Sequence, residues 1–361
     1  MAEIRQEQIL DALRTVQDPD LGKDIVSLGF VKDIRICGGN VALTIELTTP
    51  ACPVKDQMKA QAEQQIRALP GVEQVHVDMT AQVRSRKLDP RELLPGVRHV
   101  IAIASGKGGV GKSTVAVNLA VALAETGAQV GLLDADIYGP SLPLMLGLHD
   151  RPQLTTTETG EKKIVPLEAC GVRVMSLGLL LDENRAVIWR GPMVAGTVRQ
   201  LLADVDWGEL DYLLVDLPPG TGDAPLTLAQ MVPLSGVVVV MTPQQVAQDI
   251  AYKSVLMFRT LSASTERKIP ILGVVENMSG GVFGSGGGER AAIRFGVPFL
   301  GHIPLDATIA ESGDAGVPAI VNAPDAPQAQ AFRTLARVLA ARVSVLQYRT
   351  AGADTLATTP V

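Results

Sequence analysis

Apolar positions recur along this chain in two rhythms, and the change between them marks its organisation. Near the start, Ile9, Leu10, Leu13 and Val16 fall on one helical face, which Asp18-Pro19 then ends. Phe30 to Cys37 and Val41 to Leu47 alternate about Gly38-Gly39-Asn40, with Val41, Leu43, Ile45 and Leu47 on one face, and so predict a hairpin. A helix from about Val54 to Leu69, a turn at Pro70-Gly71 and a strand through Val75, Val77 and Met79 complete a small α+β unit over residues 1–80. Residues 81–96 carry charges of both signs and two prolines with little periodicity, which predicts an exposed linker.

From about Val97 the alternation gives way to mostly apolar segments of strand length. These are His99–Ala104, Gln129–Asp134, Asp211–Asp216, Gly236–Met241, Ile271–Glu276 and Pro298–Ile303, with helical stretches between them. That order predicts right-handed crossovers and a mostly parallel sheet with helices on both faces, an α/β domain over residues 97–348. The last helix is expected from Ala326 to Tyr348, and residues 349–361, small and polar, as a frayed tail.

Candidate chemistry sits at the first strand-to-helix turn, Ser105-Gly-Lys-Gly-Gly-Val-Gly-Lys-Ser-Thr114. It satisfies the phosphate-loop pattern G-x-x-x-x-G-K-[ST], and it lies between an apolar strand and a helix predicted from Lys112 to Glu125. Gly106, Gly108, Gly109 and Gly111 let the backbone aim N–H groups at a phosphate, and Lys107, Val110 and Thr114 complete the loop. Lys112 is expected on the β- and γ-phosphates of ATP, and the Ser113 hydroxyl on Mg²⁺. The domain is therefore expected to be a P-loop NTPase.

Two acidic motifs end predicted strands, where ligands bind in open α/β sheets: Asp134-Ala-Asp-Ile-Tyr-Gly-Pro-Ser141 and Asp216-Leu-Pro-Pro-Gly-Thr-Gly-Asp223. Asp216 is placed to hold Mg²⁺ through water, with Gly220 and Gly222 making the following loop mobile. Asp136 is placed to orient or deprotonate the attacking water, and Asp134 to organise the metal shell or the loop.

Composition narrows the setting. Apolar residues are 47% of 361 but aromatics only 3%, which suits an aliphatic core around parallel strands. No apolar run approaches the roughly 18 residues of a membrane helix, and no signal peptide opens the chain, so a cytoplasmic protein without a membrane partner is expected. A net charge of −6 without a Lys/Arg block argues against a nucleic-acid partner. Cys37, Cys52 and Cys170 are too scattered for a disulfide framework, and His76, His99, His149 and His302 show no ligand spacing.

The lysine-bearing loop resembles the deviant Walker A motif of the ATPases that include MinD, ParA and the nitrogenase iron protein. The two acidic motifs, Trp189-Arg-Gly-Pro-Met193 and Glu276-Asn-Met-Ser279 make the chain similar to the Mrp/ApbC iron–sulfur cluster carriers over residues 95–345. Asp18-Pro-Asp-Leu-Gly22, Asp24-Ile-Val-Ser-Leu-Gly29 and Thr48-Thr-Pro-Ala-Cys-Pro53 resemble the SufT/PaaD-like domain often fused to them. The resemblance implies an ATP-sandwiched homodimer in which Lys107 reaches the partner's nucleotide and Asn277 meets the adenine edge. It also implies a [4Fe–4S] cluster, apo iron–sulfur proteins as recipients, and cluster assembly proteins as partners.

One departure stands out. The family's Cys-x-x-Cys pair is replaced by Gly280-Gly-Val-Phe-Gly-Ser-Gly-Gly-Gly288, which is expected either to bind nothing or to form, with Phe283, a flexible docking surface. Cys52, at the approach to a helix that would stabilise its thiolate, is the remaining candidate cluster ligand; one cysteine per chain is too few for four ligands, so a cluster would need Cys52 from two subunits plus other ligands or a client. Cys37 and Cys170 are expected as small packed side chains. The other readings are a positioning ATPase acting on membrane or DNA, and a nucleotide-gated scaffold that holds no cluster.

Overall fold

The computed structural model of the protein describes residues 4–37, 39–81, 93–157, 160–180, 191–265 and 267–357. It divides into two compact units, Met1–Arg84 with Ala340–Val361, and Ser85–Leu339.

In the first unit, α1 (Gln6–Leu13) precedes an antiparallel pair, β1 (Val31–Cys37) and β2 (Asn40–Leu47). Helix α2 (Lys55–Arg67) then returns the chain to β3 (Gln74–Ala81), which runs parallel to β2. The period-2 pattern of β2 buries Val41, Leu43, Ile45 and Leu47, and the helical spacing of α2 buries Met58, Ala62 and Ile66 against them. Tyr348 packs on this core, and Lys23 Nζ lies 5.6 Å from its ring centroid. The expected exposed linker lies largely outside the described residues, but Leu94 is a core residue of the second unit.

The second unit is built on eight strands: β4 (Val97–Ser105), β5 (Val130–Asp134), β6 (Leu167–Ala169), β7 (Val172–Ser176), β8 (Leu210–Asp216), β9 (Leu234–Met241), β10 (Ile271–Ser279) and β11 (Phe299–Pro304). Their order across the sheet is β6-β7-β5-β8-β4-β9-β10-β11, parallel throughout except for β6 against β7. The connecting helices are α3 (Lys112–Ala124), α4 (Gly191–Ala203), α5 (Asp223–Met231), α6 (Gln245–Ser264), α7 (Gly287–Phe295), α8 (Ala307–Asp314) and α9 (Pro327–Ala357). Strands β4, β8 and β9 are buried nearly end to end, as their mostly apolar sequences require. The β6–β7 edge was not foreseen. Cys170, with φ 51°, and Gly171, with φ 75°, form the two-residue turn that joins it. Helix α9 continues to Ala357, past the point where the sequence predicts its end. Among the described residues, no helix is long and apolar enough to cross a membrane.

His99 on β4 is 3% exposed, with Nδ1 3.0 Å from Ser235 Oγ and its ring stacked on Tyr212. Burial, helped by Arg98, pushes its pKa down to about 4. A histidine kept neutral by the fold contributes stability that is complete above the unfolded value near 6.5 and is lost as pH falls towards 4. Urea denaturation of wild type is therefore expected to show an acid loss on the order of 2 kcal/mol between pH 7 and pH 5. His99→Phe should lack that component; an unchanged acid loss in the variant would refute it.

Candidate functional site

The phosphate loop spans the end of β4 and the start of α3, and its glycines are dictated by φ at some positions and by packing at others. Gly109 and Gly111 have φ of 76° and 74°, in the left-handed region that glycine adopts freely. At Gly106 a Cβ would sit 2.5 Å from the carbonyl carbon and oxygen of Ile250, so the loop lies directly on the backbone of α6. A Cβ on Gly111 would come within 2.2 Å of Asn277 Nδ2. Gly108 meets only Pro219, at 3.9 Å, and faces outward. The first turn of α3 carries no side-chain cap, so its N–H groups remain available to an anion.

Three strand ends bring the polar side chains together. Asp216 on β8 is fully buried; Lys112 Nζ lies 2.6 Å from its Oδ1, and Ser113 Oγ donates to its Oδ2 at 2.6 Å. Burial raises the Asp216 carboxyl above the usual range, against the opposing pull of the Lys112 ammonium. The Ser113 hydroxyl and the Asp216 carboxylate are hard oxygen donors side by side at the carboxyl edge of the sheet, a set that fits Mg²⁺. The Gly220 N–H donates to the Ser105 carbonyl at 2.9 Å, tying the loop after Asp216 to the phosphate loop.

Of the two roles expected of Asp134, the geometry carries that of organising the loop. Its Oδ1 accepts from the Asp136 N–H, and its Oδ2 from the N–H groups of Ser141 and Leu142 and from Ser176 Oγ, at 3.1 to 3.3 Å. With both oxygens engaged, it organises residues 136–142 and is not arranged as a metal ligand. Burial, with Asp216 nearby, pushes its pKa up to about 7. Ser176, which sequence reasoning missed, sits opposite Asp134 in the β7–β5 register. The turn at Cys170-Gly171 followed by Val172-Arg-Val was the signal for that strand.

Asp136 is half-buried and lines a cleft of about 510 Å³ with Tyr138, Val194, Pro218, Pro219 and Gly222. The cleft lies between the two acidic loops. Lys107 is half-buried, and no carboxylate among the described residues pairs with it. Asn277 is 4% exposed and donates through Nδ2 to the Val110 carbonyl at 2.9 Å. Its amide thus supports the phosphate loop. Trp189 and Arg190 of the Trp-Arg-Gly-Pro-Met motif lie outside the described residues.

The cysteines depart from expectation. Cys37 and Cys170 are exposed, because both sit at hairpin turns. Cys52 is half-buried, and burial pushes its thiol up to about 11, with Asp18 and Asp20 adding to the rise. Helix α2 begins three residues further on and does not offset that cost. Among the described residues, no group of three or more His, Cys, Asp or Glu side chains could hold a metal ion. Nor is the glycine run 286–288 loose. A Cβ on Gly287 would meet the Pro243 carbonyl oxygen at 2.1 Å, and one on Gly288 would meet Glu276 Cβ at 2.7 Å.

Residues 96–340 match the model of the NUBPL iron-transfer P-loop NTPases, and residues 6–77 match that of an iron–sulfur cluster assembly protein domain. A protein named iron–sulfur cluster carrier protein from Synechocystis is 47% identical over 94% of this chain and 98% of its own. A protein of the same name from Deinococcus radiodurans is 46% identical over 94% and 96%. Among solved structures, a nucleotide-binding protein from Archaeoglobus fulgidus in complex with ADP superposes with a TM-score of 0.51 at 37% identity, covering 62% of this chain and 88% of that one. A Lys-Ser pair closing on one buried aspartate, on this order of strands and with this extent of similarity, places the chain in the NUBPL iron-transfer P-loop NTPase family.

Proposed function

We propose that the protein is a Mg²⁺-dependent ATPase that works as a homodimer and carries iron–sulfur clusters to recipient proteins. The observation that carries the catalytic half is the meeting of Lys112 Nζ and Ser113 Oγ on the buried Asp216 carboxylate, beside a helix N-terminus without a cap of its own. Identity of 46–47% to proteins named iron–sulfur cluster carrier protein supports the carrier half.

ATP would lie along the phosphate loop, with N–H groups of residues 108–114 on its phosphates and Lys112 turned from Asp216 towards the β- and γ-phosphates. When bound, Mg²⁺, held by Ser113 and through water by Asp216, supplies neutralisation of charge on those phosphates. Asp136 orients a water in the cleft for in-line attack on the γ-phosphorus. The bond from phosphorus to the bridging oxygen breaks, leaving ADP and inorganic phosphate, and the water's proton passes to bulk or to the phosphate. Lys107 of each subunit reaches the nucleotide of the other, so closure of the dimer completes both sites. The cluster is cargo. Cys52 is the proposed ligand, one from each chain, with the remaining ligands supplied by other groups or by the recipient protein, and loading would release its proton.

Asp136→Asn tests the catalytic assignment. It should lower phosphate release by roughly 10²–10⁴-fold, the usual worth of a positioned acid–base group, while ADP affinity stays within about threefold. Phosphate release at the wild-type rate would remove Asp136 from the reaction.

A further inference from the structure

Strand β10 ends in Glu276-Asn277-Met278-Ser279, and its first two side chains reach different loops. Asn277 holds the phosphate loop through the Val110 carbonyl. Glu276, only 1% exposed, turns the other way. Its Oε1 accepts from Ser279 Oγ at 2.6 Å and from the Gly286 N–H at 3.1 Å, and its Oε2 from the Gly288 N–H at 2.5 Å. No cation among the described residues pairs with it.

This is more than an ordinary helix cap. Helix α7 has Gly286 at its N-cap, with φ 73° and no side chain to offer, so its first N–H groups take their acceptor from a strand ten residues back in sequence. A buried carboxylate without a cation persists only while those donors stay in place, since losing them would leave the charge desolvated. Glu276 is therefore bound to the position of residues 286–288, and its neighbour to the position of residues 110–111.

Both contacts lack slack. Asn277 Nδ2 already fills the space in which a Gly111 Cβ would stand, and Glu276 Cβ and the Pro243 carbonyl fill it at Gly288 and Gly287. A close-packed chain of this kind passes a displacement on instead of absorbing it. On the far side lies the loop 280–288, closed by the Gly280 N–H on the Gly284 carbonyl at 2.6 Å, with Val282 89% exposed at its tip.

We infer that Glu276 is a positioning residue that, through Asn277, couples occupancy of the phosphate loop to the conformation of the loop 280–288. Phosphate uptake at residues 108–111 shifts the Val110 carbonyl, Asn277 follows it, and the Glu276 carboxylate carries the N–H groups of Gly286 and Gly288 with it. The linkage is reciprocal: a ligand or partner that fixes loop 280–288 alters nucleotide affinity by the same factor. The inference rests on the reading that the phosphate loop binds nucleotide.

Hydrogen exchange followed by mass spectrometry, on the full chain with and without saturating Mg-ADP, tests it. In wild type, ADP should slow exchange both at residues 106–114 and at residues 280–288. In Glu276→Gln, whose amide nitrogen cannot accept, the change at 280–288 should vanish, protection at 106–114 should persist at saturation, and the ADP dissociation constant should rise about tenfold, within the usual range of coupling between sites. Ser279→Ala, which removes one donor and leaves the packing, should retain part of the distal change; it supplies the test if Glu276→Gln does not fold. Protection at 106–114 in wild type with no change at 280–288 overturns the coupling alone, as does a distal change that survives in Glu276→Gln. Absence of ADP protection at 106–114 overturns the nucleotide reading as well.

Discussion

Lys112→Ala is expected to lower ATP turnover by roughly 10²–10³-fold, because it removes a buried cation placed to meet charge developing on the γ-phosphate. The same substitution disturbs the fold. Asp216 is completely buried, and its ion pair with Lys112 is what compensates its burial. Breaking such a pair from one side costs about 3–5 kcal/mol, whereas replacing both partners with neutral groups costs far less. Denaturant titration should therefore find Lys112→Ala destabilised and Lys112→Met combined with Asp216→Asn closer to wild type, while neither variant hydrolyses ATP. Equal stability of the single and the double variant would mean that the pair is not carrying the buried charge. Turnover near wild type in Lys112→Ala would remove the lysine from the reaction.

Gly106→Ala should weaken nucleotide binding at least tenfold while Gly109→Ala largely spares it, although both are glycines of one loop. At Gly106 the new methyl would overlap the Ile250 carbonyl and approach the Ala251 nitrogen at 2.6 Å, all backbone atoms of α6 that no side-chain rotation can clear. Relief requires moving either the loop or the helix, a change of the overpacking kind that costs about 1–3 kcal/mol or more and displaces the phosphate-binding N–H groups. At Gly109 nothing lies within 4 Å, and the cost is the left-handed φ of 76° alone, roughly 1–2 kcal/mol. Calorimetric titration with ADP should show at least a tenfold loss for Gly106→Ala and a loss several times smaller for Gly109→Ala. The reverse order would mean that backbone conformation, not contact with α6, dictates the glycines here.

The parallel sheet was legible because strands buried on both faces must be apolar throughout, so Gly236-Val-Val-Val-Val-Met241 admits little else. The phosphate loop was legible because its glycines, lysine and serine are chemical necessities at fixed spacing. What escaped depended on partners distant in sequence. Ser176 on Asp134, Ile250 beneath Gly106 and Glu276 beneath Gly288 are each set by strand order or helix placement, which no local pattern encodes. The glycines at 286–288 show the hazard most plainly. Read locally they suggest looseness, yet two of the three are buried and held against neighbouring backbone and side chain. At Cys52, nearness to a helix start is visible in sequence, but the burial that raises its thiol is not.

The most direct test of the central claim is anaerobic reconstitution of the full chain with iron and sulfide, with iron and acid-labile sulfide measured in the dimeric fraction of wild type, Cys52→Ser and Cys37→Ser. A cluster is expected in wild type and Cys37→Ser, lost in Cys52→Ser, and passed to an apo acceptor by protein with an intact Lys112. Wild type that hydrolyses ATP yet retains no iron, alone or with an acceptor present, would contradict it.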